Sequence, residues 1–85
     1  MSGRADEDAR GLIALGATIR TLRTQAGLSS DELAAGAGFD PSLLADVEAG
    51  RREPTWGDLR RISQALGSPL QSLLELAERL ENGTP

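Results

Sequence analysis

Capping residues and glycines divide this 85-residue chain into five short segments in which apolar residues recur every three or four positions. That period is typical of amphipathic helices, because the apolar residues of a half-buried strand recur at every second position. Ser29 and Glu32 have the spacing of a capping box at the start of one segment, and Thr55 and Asp58 have it at the start of another. The sequence therefore predicts an all-α fold of five helices without strands.

The predicted boundaries follow from the same signals. Residues 1–8 are polar, and we expect them to form a flexible N-terminus or the solvated start of the first helix, which we place at residues 9–26. The folded domain is expected to span residues 9–81, with its fifth helix at about 69–81 and a tail at 82–85. A chain of this length holds one domain and no more.

The residue types that are absent narrow the possible functions. The chain has no cysteine and no histidine, so neither a disulfide nor the usual ligands of a zinc site are available. No nucleophile–base pair and no glycine-rich phosphate loop is evident, so we expect a protein that is not an enzyme and takes no cofactor or metal. No apolar run reaches the roughly 20 residues that span a bilayer, and a cytoplasmic protein without a membrane partner is expected.

The two short segments on either side of Gly38 carry the most informative pattern. A helix-turn-helix requires a small residue where its helices cross, a turn residue that tolerates left-handed geometry, and apolar residues that hold both helices against a core. Ala34 is the small residue here, and Gly38, four positions later, is the turn residue. The apolar residues are Leu33, Ala37, Phe39, Leu44 and Val47. Together these features predict a helix-turn-helix at about residues 29–50.

Residues 28–34 (LSSDELA), 37–39 (AGF) and 47–54 (VEAGRREP), with Leu44 between them, resemble the helix-turn-helix domain of Cro/C1-type (XRE family) regulators. The similarity extends over roughly residues 12–76. It implies a five-helix, lambda-repressor-like DNA-binding domain whose third helix lies in the major groove of double-stranded DNA, with dimers contacting two half-sites. We therefore expect a sequence-specific transcriptional regulator that acts as a repressor on a palindromic operator.

The resemblance also assigns roles to individual positions. For base contacts, the matching positions are Pro41, Ser42, Leu43, Ala45 and Asp46. For phosphate contacts, the candidates are Ser29 and Ser30, at the N-terminus of the second helix, and Arg51 and Arg52, in the loop after the third. Arg23 and Glu48 match two positions that form an ion pair in several relatives, and such a pair would fasten the recognition helix to the rest of the domain.

The fifth helix is more apolar than a helix covering a small core requires. Its apolar residues are Leu70, Leu73, Leu74, Leu76, Ala77 and Leu80. We expect a homodimer whose contacts include Leu70, Leu73, Leu76 and Leu80, because a two-fold dimer matches palindromic half-sites. A monomer with an apolar terminal helix is the alternative. Trp56, at the start of the fourth helix, is expected to pack within the domain, with contact to a phosphate or to the partner subunit as the alternatives.

The charge balance leaves a second function open. Nine basic and 13 acidic residues give a net charge of −4, which works against phosphate binding, although the local field at the contact face decides the outcome. The third helix also departs from the family pattern, since relatives tend to place Arg, Lys, Gln or Asn where this chain has Ser42 and Asp46. The alternative is a protein-interaction module on the same fold (an antirepressor, antitoxin or regulatory subunit) that binds a protein partner and has a weakened DNA face.

Overall fold

A computed structural model of the protein describes the backbone of residues 3–83 and the side chains of residues 9–83. Its elements, in chain order, are α1 (Gly3–Gln25), α2 (Ser30–Ala37), α3 (Pro41–Glu48), α4 (Trp56–Leu66) and α5 (Leu70–Glu81). The described part of the chain contains no strand. The predicted all-α fold of five helices is therefore confirmed.

The first helix begins earlier than we predicted. It starts at Gly3 and includes residues 3–8, which were expected to fray or to extend it. Acidic residues at positions 6–8 are compatible with helix there, because negative charge is favourable near a helix N-terminus. Residues 1–2 of the predicted flexible N-terminus and residues 84–85 of the predicted tail lie outside the described residues.

Both predicted capping boxes form. The side chain of Ser29 accepts a hydrogen bond from the Glu32 amide, and the Glu32 carboxylate accepts one from the Ser29 amide, which completes the capping box of α2. The same reciprocal pair forms between Thr55 and Asp58 at the start of α4. Asp40 precedes α3, but its carboxylate caps no backbone amide.

The core is built from all five helices. Its largest fully buried side chains are Ile19, Leu33, Leu44, Ile62 and Leu73, one from each helix. The burial of Leu73 overturns its prediction as a dimer contact, because a side chain with no exposed surface cannot reach a second copy. Along the longest interface α5 packs on α1, while α2 packs on α4 and α3 contacts both α1 and α2.

A close backbone approach joins α1 to α3. A Cβ atom on Gly16 would collide with the carbonyl oxygens of Val47 and Glu48, at 2.5 Å from the second. Gly50, just beyond α3, has a φ of 76°, and a Cβ there would lie 2.9 Å from the Cα of Ile13. Glycine at these two positions lets the end of α3 rest directly on the backbone of α1.

Candidate nucleic-acid interface

The turn between α2 and α3 has the geometry that a helix-turn-helix requires. Gly38 adopts the left-handed conformation with φ 75° and ψ 31°. The Phe39 amide donates to the Ala34 carbonyl at 2.7 Å and the Gly38 amide donates to the Ala35 carbonyl at 3.2 Å, so the end of α2 keeps its hydrogen bonds. Ala34, the small residue predicted for the helix crossing, is completely buried in the core.

The third helix buries one side and exposes the other. Leu44 and Val47 lie in the core. The side chains predicted for base contacts lie on the other side: Pro41, Ser42 and Ala45 are exposed, and Leu43 and Asp46 are half-buried. Ala49, one residue past the end of α3, is also exposed, and helical spacing puts it next to Ala45 and Asp46. Sequence reasoning missed Ala49, although its position seven residues after Ser42 was a sufficient signal.

The outward face of α3 carries little polar chemistry beyond two side chains. The Ser42 hydroxyl donates to Oδ2 of Asp40 at 3.3 Å, across the start of the helix. Asp46 accepts from Nη2 and Nε of Arg51, at 3.2 and 3.3 Å. Because the other outward residues are small or apolar, the backbone of α3 can approach a surface closely.

The predicted base-contact residue Asp46 and the predicted phosphate-contact residue Arg51 are brought together by this ion pair. The backbone supports the pairing, because the Arg51 amide donates to the Asp46 carbonyl at 2.9 Å. The Arg51 side chain is 70% exposed and that of Asp46 is 45% exposed, and Arg52 beside them is exposed as well. The guanidinium group of Arg51 is thus held at the C-terminal end of α3, a helix that contains no basic residue of its own.

The N-terminus of α2 lies on the other side of the motif. The Ser29 hydroxyl accepts a hydrogen bond from the Glu32 amide, and the Glu32 carboxylate accepts one from the Ser29 amide. The Ser29 hydroxyl is therefore already engaged within the helix cap. The first hydrogen bond of the helix runs from the Leu33 amide to the Ser29 carbonyl. This arrangement leaves the Ser30 and Asp31 amides pointing out of the helix end, where backbone amides can bind an anion.

A bidentate ion pair ties α3 to α1. Nε of Arg23 lies 2.7 Å from Oε2 of Glu48, and Nη2 lies 3.1 Å from Oε1. The third guanidinium nitrogen donates to the Leu28 carbonyl at 3.1 Å. The two side chains are only 15% and 10% exposed. The hydrogen bond that Arg23 donates to Glu48 raises the pKa of Arg23 above its ordinary value, more than burial lowers it.

The exposed apolar residues of α5 point in two directions. Leu74 lines a recess of about 400 Å³ together with Trp56 and Leu70. Leu76 and Leu80 instead border α1 beside Thr21 and Leu22. Of the predicted dimer contacts, Leu70 is half-buried against the core and Leu76 and Leu80 are exposed. Trp56 is 57% exposed, so the expectation that it packs within the domain is wrong.

Other kinds of site find no support in the described residues. No group of three acidic side chains in residues 9–83 could hold a metal ion. Across the same part of the chain, no helix is long and apolar enough to cross a lipid bilayer.

Comparisons with known proteins agree with this geometry. Residues 14–77 match the model of a helix-turn-helix domain family. The chain is 35% identical over 70 residues to an uncharacterized HTH-type transcriptional regulator, y4dJ, of Sinorhizobium fredii, covering 82% of this chain and 91% of that protein.

Solved structures show the same arrangement of helices. The restriction-modification controller protein C.AhdI from Aeromonas hydrophila is 34% identical, with a TM-score of 0.72 over 73% of this chain and 94% of that one. The clp gene regulator ClgR from Corynebacterium glutamicum is 31% identical, with a TM-score of 0.81 over 87% of this chain and 77% of that one. The chain belongs to the helix-turn-helix family of DNA-binding transcriptional regulators.

Proposed function

We propose that the protein is a sequence-specific, cytoplasmic regulator that binds a palindromic operator as a homodimer and represses transcription. The observation that carries the proposal is the position of α3. Its inner side is held by Leu44, Val47 and the Arg23–Glu48 ion pair, and its outer side is open to a ligand. A helix held in this way can enter the major groove without distortion of the domain.

Contacts to the DNA backbone would come from both ends of the motif. The Ser30 amide at the N-terminus of α2 offers a donor at the positive end of a helix dipole. Arg51 and Arg52 lie beyond the C-terminus of α3 and are both exposed. Phosphate contacts on either side of a recognition helix fix its register on the duplex, and the small number of basic groups predicts a modest salt dependence of binding.

Base contacts would differ from those of an arginine-bearing recognition helix. Pro41, Leu43 and Ala45 can contact thymine methyl groups, and the Ser42 hydroxyl can donate to or accept from a base edge. Asp46 can accept from the amino group of cytosine, while its ion pair with Arg51 offsets the repulsion between its carboxylate and the phosphates. The preferred half-site is therefore expected to be rich in A·T pairs with a cytosine opposite Asp46.

Selection of genomic fragments by the purified protein tests the proposal. Fragments are selected at low salt and again near physiological salt, with an Arg51→Ala/Arg52→Ala variant in parallel and Arg79→Ala, on α5, as the matched control. A pseudo-palindromic motif with half-sites about one helical turn, roughly 34 Å, apart would support it. Failure of the folded protein to enrich any sequence at either salt would contradict it.

The acidic residues near the motif favour protein interaction as the second candidate. Asp31, Glu32 and Asp40 are exposed around α2 and the start of α3, and they repel a phosphate backbone. A protein partner that binds these carboxylates would make the chain an antirepressor, antitoxin or regulatory subunit. This candidate predicts capture of a basic protein in the absence of DNA, and loss of that capture when the three carboxylates are replaced by amides.

A further inference from the structure

An open groove runs along the line where α1 packs on α5. Two adjoining recesses of about 390 and 330 Å³ make up this groove, and Leu80 lines both of them. Its apolar residues come from both helices: Ile13 is 57% exposed, Leu80 is 52% exposed, and Leu76 is exposed as well. The described residues that line the groove belong to α1 and α5 only, so the groove is separate from the helix-turn-helix.

The groove has the length and the lining of a site for an amphipathic helix. Its α1 side extends from Arg10 to Gln25, fifteen positions along one helix. At a rise of about 1.5 Å per residue that distance is about 22 Å, which a second helix covers in about four turns. Amphipathic helices bind such grooves by inserting the apolar side chains of one face, which recur at i, i+3, i+4 and i+7.

Two exposed arginines lie one helical turn beyond residues that line the groove. Arg20 follows Ala17 by three positions on α1, and Arg79 follows Leu76 by three positions on α5. Neither guanidinium forms an ion pair with a side chain of residues 9–83. Both are therefore available to carboxylates that a ligand brings to the edges of the groove.

The other charges at the groove leave its positive character in place. Arg10 and Glu81 both line the recess nearer the start of α1, so the groove has three cations and one anion in a chain whose net charge is −4. Glu75 and Glu78 line a different recess, on the side of α5 that faces Trp56. A basic apolar groove on an acidic domain is complementary to an acidic occupant.

A second copy of the chain does not complement this surface. In a two-fold contact the same patch meets itself, so a dimer formed through the groove would bring Arg20 and Arg79 of one copy toward those of the other. Like charges that meet at an interface cost free energy. An anionic lipid surface would supply negative charge, but it is flat, whereas the space between the two helices is concave.

We propose that this α1–α5 groove binds an acidic amphipathic helix of about four turns that belongs to a partner protein. The apolar face of that helix buries Ile13, Leu76 and Leu80, and carboxylates beside that face pair with Arg20 and Arg79. The proposal goes beyond the proposed function and does not depend on it. It assigns Leu76 and Leu80, which the sequence indicated as dimer contacts, to a different partner.

Selection from a library of displayed helices of about 16 residues tests the proposal. The library fixes leucine or alanine at the i, i+3, i+4 and i+7 positions and varies every other position among glutamate, glutamine and lysine. Selection on the wild-type chain is expected to enrich glutamate over lysine, and selection on Arg20→Glu/Arg79→Glu is expected to reverse that preference. Far-UV circular dichroism verifies that every variant is folded.

The affinity of the enriched peptide locates the surface to which it binds. Fluorescence anisotropy with the labelled peptide should show a dissociation constant that is about tenfold or more higher in Ile13→Ser/Leu80→Ser than in the wild-type chain. Trp56→Ser/Leu74→Ser changes the exposed apolar residues on the other side of α5 and is the matched control. This control should leave the dissociation constant unchanged.

A second control separates the groove from the basic residues of the DNA face. Arg20→Glu/Arg79→Glu should raise the dissociation constant of the glutamate-rich peptide by about tenfold or more, whereas Arg51→Glu/Arg52→Glu should leave it unchanged. If glutamate is not enriched, or if the peptide binds Ile13→Ser/Leu80→Ser as tightly as the wild-type chain, the proposal is wrong.

Two further measurements identify a different occupant. Sedimentation velocity that shows a wild-type dimer, lost only in Ile13→Ser/Leu80→Ser, would make a second copy the occupant and overturn the proposal. Cosedimentation of the wild-type chain with vesicles of anionic phospholipid, lost in Arg20→Glu/Arg79→Glu, would overturn it in favour of a lipid surface. The proposal expects neither result.

Discussion

The guanidinium of Arg23 contacts both oxygens of Glu48, at 2.7 and 3.1 Å, and its third nitrogen donates to the Leu28 carbonyl. One side chain therefore connects the end of α1, the end of α3 and the loop that leads into α2. Since α3 has only eight residues, its orientation depends on contacts of this kind more than on its own helical stability.

Removing one member of this pair should destabilise the domain. Arg23→Met leaves Glu48 largely buried without its partner, and we expect the free energy of unfolding to fall by about 3 kcal/mol. Urea denaturation followed by circular dichroism measures the loss. Arg51→Met breaks the exposed pair with Asp46 and serves as the control, with an expected change of about 0.5 kcal/mol or less.

The double variant Arg23→Met/Glu48→Leu distinguishes two causes of the lost stability, an unpaired buried charge and altered packing. With both charges replaced by apolar groups of similar volume, most of the lost stability should return. If the double variant is as unstable as Arg23→Met alone, the cost comes from the changed packing rather than from an unpaired carboxylate.

The two glycines inside the apolar half of α1 should respond oppositely to alanine. Gly16→Ala places a Cβ against the carbonyl oxygens at the end of α3, so α3 must move and the free energy of unfolding should fall by about 2 kcal/mol. Gly11→Ala meets only the flexible Glu81 carboxylate, at 3.6 Å, and should raise stability by about 0.5–1 kcal/mol through helix propensity. Thermal denaturation compares the two variants, and equal effects would contradict the close approach of α1 and α3.

Features that depend on neighbours in sequence were predictable. The capping boxes at Ser29 and Thr55 need only a partner three residues away, and Gly38 is identified by the helices on either side of it. The pairing of Arg23 with Glu48 spans 25 positions, and the family resemblance rather than spacing indicated it.

Features that depend on how helices cross were not predictable from spacing. Helical periodicity does not distinguish Leu73, which faces the core, from Leu74, which faces solvent, until the neighbours of α5 are known. Within its own helix, Gly16 is only a residue of low helix propensity, and its contact with Val47 and Glu48 joins positions more than 30 residues apart. Trp56 lies beside Leu70 and Leu74 of α5 at the surface of the domain. The apolar spacing within α4 does not predict that position.

Acid should weaken the α4 cap. The hydrogen bond from the Thr55 amide holds the pKa of Asp58 below its ordinary value of 3.8, with the Thr55 hydroxyl contact and the charge of Arg61 acting in the same direction. A carboxyl whose pKa is lower in the folded state adds stability at pH values above its unfolded pKa, and that stability is lost as the pH falls through the folded value.

We therefore expect Asp58→Ala to lower the free energy of unfolding by about 1 kcal/mol at neutral pH, and by progressively less below pH 3.8. Urea denaturation at several pH values measures the free energy of unfolding of the wild-type protein and of Asp58→Ala. Asp31→Ala is the control, since Asp31 is an exposed acidic residue in the first turn of α2 and belongs to no capping box. A difference between wild type and Asp58→Ala that stays constant down to pH 2 would contradict the role of the carboxylate.

The ion pair between Asp46 and Arg51 should govern how the protein discriminates between DNA sequences. Arg51→Ala removes one cation from the DNA side of the molecule, so affinity should fall on all sequences and the slope of log K against log salt should decrease in magnitude by about 1. Asp46→Asn removes the negative charge and frees Arg51, so binding to random DNA should become severalfold tighter while the preference for the selected motif decreases.

Fluorescence anisotropy with labelled operator and random duplexes at four salt concentrations measures both effects. Arg79→Ala, which removes an exposed cation on α5, should change neither the slope nor the preference. The two variants at the pair have opposite expected effects on non-specific affinity because one loses a positive charge and the other a negative charge. If Asp46→Asn instead weakens binding to random DNA, the carboxylate positions Arg51 for the phosphate, and the pair acts on affinity rather than on specificity.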